Sequence, residues 1–112
     1  MSNWLEMPAG PELDALAAER ALEWNPRYVQ QRTHGFGTSP LPLLSTDPGQ
    51  TWLIVEAMEQ RGGWEWILTK ENGRYSASFQ HLERNLRPEA IWADTLPLAI
   101  CRAALAALEH AQ

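Results

Sequence analysis

Residues 64–80, WEWILTKENGRYSASFQ, decide the fold. Asn72-Gly73 separates two alternating runs, and Asn-Gly in that setting is a strong hairpin signal because both residues accept the positive φ of a type I′ turn. A two-residue turn fixes the register: Glu71 opposite Arg74, Leu68 opposite Ala77, Trp66 opposite Phe79, Trp64 opposite His81. One face then carries Trp64, Trp66, Leu68, Ala77 and Phe79, and the other Glu65, Ile67, Thr69, Ser76, Ser78 and Gln80. A sheet with one apolar and one largely polar face calls for helices against the apolar side first.

Immediately before the hairpin, STDPGQTWLIVEAMEQRGG reads as a helix over 48–61. Ser45, Thr46 or Asp47 can cap it, Pro48 suits the first helical position, and Gly62-Gly63 ends it. Its predicted core face is Thr51, Ile54, Val55 and Met58, with Trp52 turned toward Glu56 and Glu59. Upstream, ELDALAAERALEW predicts an amphipathic helix over 11–24, opened by Pro11 and stopped by Asn25-Pro26. Residues 1–10 read as a lead-in. Residues 25–44 hold Gly35, Gly37, Pro40 and Pro42 and read as a long loop with a short strand at 28–32; the loop carries Arg27, Arg32 and His34 and no acid.

Downstream, residues 81–92 read as a loop that can feed a third strand at 90–93, the alternative being 28–32. In IWADTLPLAICRAALAALEHA, residues 91–111, Asp94, Thr95 and Pro97 crowd the start of a helix over 96–110. Leu98, Cys101, Leu105 and Leu108 form one stripe of it, and alanines with Ile100 make the rest apolar, so this helix must be enclosed on most sides. Arg102 is its only interior charge, and its expected partners are Asp94, Glu19 or Glu23.

The chain has 112 residues and reads as one domain, a length that buries roughly 60–70 % of the unfolded surface without needing a staple. Cys101 is the sole cysteine, which excludes an internal disulfide and fits a reducing compartment. The first residues show no basic-then-apolar leader, and no apolar run approaches ~18 residues, so a cytoplasmic protein without a membrane span is expected. A net charge of −5 opposes nucleic-acid binding.

The cations are eight arginines and one lysine, Lys70. Composition bias alone would give that ratio, while a guanidinium also suits a planar anion such as carboxylate or phosphate. Six tryptophans stand beside two phenylalanines and two tyrosines. Trp24 and Trp66 are expected in the core, whereas Trp52, Trp64 and Trp92 are candidates for stacking on a ligand or anchoring an interface.

Catalysis finds little support: Glu65 between Trp64 and Trp66 is a candidate acid, but its predicted face is polar and open, and no metal-ligand spacing occurs. Cys101 sits mid-helix as a small apolar residue, and His34, His81 and His110 lack metal-ligand spacing. No phosphate loop or nucleophile elbow occurs, and no cofactor is expected. The helix starts at Ser45-Thr46-Asp47-Pro48 and Asp94-Thr95-Leu96-Pro97 repeat one pattern of capping side chain followed by proline. Capping alone accounts for it. In a second reading Ser45, Asp47, Asp94 and Thr95 accept hydrogen bonds from a ribose or base edge while arginines hold phosphates.

Taken in order, ELDALAAERALEW, LLSTDPGQTWLIVEAM, the tryptophan-rich hairpin and ADTLPLAICRAALAAL resemble the phage ABA sandwich domain family over about residues 11–109. The most specific pieces are Ser45-Thr46-Asp47 and Ala93-Asp94-Thr95 with Pro97 to Cys101. The resemblance implies small proteins of tailed bacteriophages and prophages, with an α+β fold in which about three helices layer on a small antiparallel sheet in an α/β/α-type sandwich. By analogy of lifestyle rather than of site, small phage proteins of this size often counter host defences, some by sequestering nucleotide-type immune signals and others by blocking a host protein.

Two expectations follow. In the first, a non-enzymatic module sequesters an anionic, nucleotide-derived ligand, stacking it on Trp52, Trp64 or Trp92 and neutralising it with Arg27, Arg32, Arg84 or Arg87. In the second, an acidic, tryptophan-rich factor binds a host or phage protein. Self-association is expected in either case, because so small a sheet leaves edges to cover. A deep cavity lined by tryptophan and arginine would favour the first, and a flat apolar patch rimmed by Glu12, Glu19, Glu56 and Glu59 the second.

Overall fold

The computed structural model describes residues 4–33 and 42–111, with side chains placed from 4–29 and 42–111. In chain order the elements are α1 (Pro11–Arg20), α2 (Pro26–Thr33), α3 (Pro48–Gln60), β1 (Trp64–Glu71), β2 (Arg74–His81), β3 (Ile91–Ala93) and α4 (Leu96–His110). The strands form one antiparallel sheet in the order β1-β2-β3. This is an α+β fold with helices layered on a small antiparallel sheet.

The hairpin register is the expected one, from Trp64 opposite His81 to Glu71 opposite Arg74. Asn72 at φ 53° and Gly73 at φ 77° supply the two left-handed residues of the turn. The third strand comes from 91–93, pairing Ala77 with Ile91 and Tyr75 with Ala93.

α4 lies between the sheet and the other helices, touching β2, β3, α3 and α1. Every residue from Ala99 to Ala107 except Arg102 is buried, as its all-round apolar pattern demands. Ala77 and Phe79 of β2 meet this layer, and both are fully covered. α3 contributes Thr51, Ile54, Val55 and Met58, the face its spacing predicts. The opposite sheet face carries Glu65, Ile67, Thr69 and Trp92, all exposed, and no described helix packs on it. Ser76 and Ser78 of that face are nonetheless buried. They sit on the central strand, flanked across the register by Thr69, Ile67 and Trp92.

The structure corrects several expectations. Residues 26–33 form α2 rather than a strand within a loop. Asn25-Pro26, read as a stop, is also a start: Asn25 Oδ1 accepts the Arg27 N–H at 2.9 Å, and proline at the first helical position loses no hydrogen bond. The first helix ends at Arg20 rather than Trp24, and Glu23 takes a left-handed φ of 60°. Trp66 is 37 % exposed and Trp24 half-buried, although both were expected in the core. Trp66 points to the helix-covered face, but β1 is an edge strand, and Trp52 and Glu59 of α3 cover only part of its indole. Arg102 pairs with none of its expected acids; its Nη2 donates to the Met7 carbonyl at 2.8 Å. His34 lies outside the described residues.

Candidate functional site

Three helix ends meet beside the start of β1 and the end of β2. The turn after α1 brings Ala21, Leu22 and Glu23, the end of α3 brings Gln60, Arg61 and Gly62, and the end of α4 brings Leu108 and Ala111. With Trp64, His81 and Arg84 they line an open cleft of about 580 Å³. Trp64 and His81 oppose one another in the hairpin register and meet edge to face, with ring centroids 5.1 Å apart. His81 Nδ1 accepts the Arg84 N–H at 3.3 Å. A side chain at Gly63 would run into the His81 ring, and Gly63 holds a φ of +83°. Glycine is therefore required there both for its backbone and for the ring beside it.

The cleft's arginines already have partners. Arg61 Nη2 donates to the Arg20 carbonyl at 2.9 Å, and Nη1 lies 3.1 Å from Glu23 Oε1. Arg84 Nη2 donates to the Ala111 carbonyl at 2.9 Å. Each guanidinium thus caps a helix C-terminus, where unpaired carbonyls and the negative end of the dipole favour a cation. Arg61 thereby ties the end of α3 to the end of α1, Arg84 ties the loop after β2 to the end of α4, and both pairings reduce the charge available to an anion.

A second feature lies on the outer side of α3. Trp52 and Trp66 meet edge to face with centroids 5.6 Å apart, and both rings stay about two-fifths exposed. Trp66 Nε1 donates to Glu59 Oε2 at 3.3 Å. Glu56 and Glu59 are exposed along the same helix, while Leu53, 42 % exposed, lies further round it with Leu22 and Trp24. The result is an aromatic patch with an acidic rim.

The remaining sequence candidates do not converge. Trp64 and Arg84 share the cleft, Trp52 lies in the patch, and Trp92 lies on the open sheet face. Arg87 lines a separate cavity of about 680 Å³ with Trp4, Ile91 and Glu109. Arg27 is exposed in the first turn of α2, and the side chain of Arg32 lies outside the described ones. Asp47 caps α3, accepting from the Gly49 and Gln50 N–H groups at 2.7 and 3.1 Å. Thr95 caps α4, accepting the Leu98 N–H at 3.4 Å, while Asp94 turns out to Arg74 at 3.5 Å. Ser45 is fully buried: its hydroxyl donates to Asp14 Oδ1 at 2.6 Å and accepts the Gly10 N–H at 2.9 Å.

Four residues that organise these features were not singled out from the sequence as site residues: Asp14, Arg61, Trp66 and His81. The register alone could have found His81, since it sets that residue opposite Trp64. Cys101 is buried next to Asp14 and Thr51. Burial pushes its thiol well above the ordinary value near 9.0, the Asp14 carboxylate pushes it further, and the Thr51 hydroxyl opposes both. Such a thiol is a core residue, not a nucleophile. No group of three or more metal-ligating side chains occurs among the described residues, and no described helix is long and apolar enough to cross a membrane.

The family model of the phage ABA sandwich domain matches residues 15–105. The chain belongs to that family. None of the curated proteins compared with it matches. Among solved structures, the 2.0 Å crystal structure of a phage protein from Bacillus cereus ATCC 14579 is similar. It superposes with a TM-score of 0.72 at 22 % identity, covering 97 % of this chain and 93 % of that one. At that identity the likeness speaks for the shared fold. The ABA sandwich fold therefore carries both the cleft at the helix ends and the Trp52–Trp66 patch, and the use of either is argued from side chains.

Proposed function

We propose that this phage ABA sandwich protein is a non-catalytic accessory factor that binds a host or phage protein through the patch at Trp52 and Trp66. The observation that carries the reading is the exposed Trp52–Trp66 pair. Two large rings held against each other keep their shape when a partner covers them, so little side-chain entropy is lost on binding. Tryptophan is also the residue most enriched among binding hot spots. Glu56 and Glu59 supply a charged rim that steers and orients a complementary partner. Affinity capture from cells expressing the protein tests this. A partner held by the native protein and lost from the Trp52→Ala/Trp66→Ala variant supports it; capture unchanged by that variant overturns it.

A second reading, sequestration of an anionic nucleotide-type ligand, draws on the cleft that Arg61, Arg84, His81 and Trp64 line together. A thermal-unfolding panel of cyclic dinucleotides, ADP-ribose and NAD tests it. A ligand at 100 times its dissociation constant adds about 2.7 kcal/mol. The reading requires that shift from one compound and its loss in Arg84→Ala.

A further inference from the structure

We infer that the free edge of β1 is a strand-addition site for an extended, basic segment of the partner protein. This rests on the protein-binding reading and gives that partner a chemistry. Among the described residues β1 pairs only with β2, and no described strand lies along its other edge. The two-residue turn fixes which backbone groups face outward. Glu71 and Arg74 close the turn as a hydrogen-bonded pair, and alternation along an antiparallel ladder then turns the N–H and C=O groups of Trp64, Trp66, Leu68 and Lys70 away from β2.

Edge strands are ordinarily guarded by proline, a bulge, a central charge or short length. β1 runs eight residues in unbroken register, without proline. Its centre, Trp66 to Thr69, carries no charge. Lys70 stands near one end, its Nζ 5.4 Å from the centroid of the Tyr75 ring on β2. The opposite edge, β3, is only three residues long. The long unguarded edge is therefore on the same side of the molecule as the aromatic patch, which Trp66 shares.

Charge selects the occupant. The described residues of α3 and β1 expose Glu56, Glu59, Glu65 and Glu71 against Lys70 alone, and the intervening Arg61 is held by Glu23 and the end of α1. An added strand would place alternate side chains beside Trp66 on the helix side and beside Ile67 on the open face. Arginine or lysine on the helix side meets Glu59 and the exposed indole face, which attracts a cation. A second copy of this chain fits less well, because pairing the two β1 edges brings the two α3 helices together with Glu56 and Glu59 on both.

The probe is a blocked nine-residue peptide alternating arginine with valine. Controls are the same peptide with glutamate for arginine, and the basic peptide N-methylated on alternate residues so that it cannot complete the ladder. The readout is amide hydrogen exchange at Trp66 and Leu68. The basic peptide should slow exchange there by about tenfold or more, and both controls should leave it unchanged. Equal protection by the N-methylated peptide, or none from the basic peptide at millimolar concentration, overturns the inference. Sedimentation as a dimer with those amides already protected also overturns it, since the edge would then belong to a second copy. If the Trp52→Ala/Trp66→Ala variant loses a partner that Leu68→Pro still holds, the patch reading stands and strand addition falls.

Discussion

Asp14 Oδ1 lies 2.6 Å from Ser45 Oγ and accepts the Ser45 N–H at 2.8 Å. This buried pair ties the first turn of α1 to the segment that leads into α3. The Ser45 hydroxyl also accepts the Gly10 N–H, so one side chain satisfies a carboxylate and a backbone donor together. Ser45→Ala should lower unfolding stability by about 1–3 kcal/mol, the penalty for leaving buried polar groups unpaired. Urea denaturation should show a lower midpoint with an unchanged slope.

The two residues at the start of α4 make a direct contrast. Thr95→Ala should cost about 1 kcal/mol, because the Thr95 hydroxyl is the acceptor for the Leu98 N–H. Asp94→Ala should leave the urea midpoint unchanged, because its pair with Arg74 is exposed on both sides. Equal losses would assign Asp94 a capping role its geometry lacks.

Gly62 and Gly63 share a φ of +83°, yet only Gly63 faces a neighbour that a Cβ would strike, the His81 ring. Gly62→Ala should therefore cost about 1 kcal/mol for backbone strain alone. Gly63→Ala should cost about 1–3 kcal/mol in all. Comparing the two midpoints isolates the contribution of His81.

The thiol of Cys101 titrates higher in the folded chain than in the unfolded one. Its contribution is fully present below the ordinary thiol value near 9.0 and falls as pH rises beyond it, because the unfolded state loses its proton first. Stability measured by urea unfolding should decline by an additional ~1.4 kcal/mol per pH unit above that point. Cys101→Ala should remove that part of the slope while lowering the plateau. A thiol reagent should react only as fast as the chain unfolds.

The sequence was most informative where local chemistry and tertiary packing agree. Asn72-Gly73 fixed the hairpin pairings from Trp64 to Arg74, and 3.6-residue spacing placed Thr51, Ile54, Val55 and Met58 in the core. It was misread where one signal serves two purposes. Asn25-Pro26 breaks the chain after α1 and also opens α2. Trp66 lies on the apolar face, but strand order, which no local pattern encodes, left it at an edge. Arg102 found a backbone carbonyl instead of an acid, a choice set by the path of residues 4–10 across α4. The candidate ligand residues scattered because their types suited binding while their positions suited caps, cores and helix ends.

The most direct test of the binding account is site-specific photocrosslinking in cells. A benzophenone side chain replaces Glu56 on the rim of the aromatic patch or Arg84 in the cleft. The account predicts a discrete crosslinked partner protein from position 56 and none from position 84. A partner captured only from position 84, or none from position 56 when the folded protein is expressed to the same level, would contradict it.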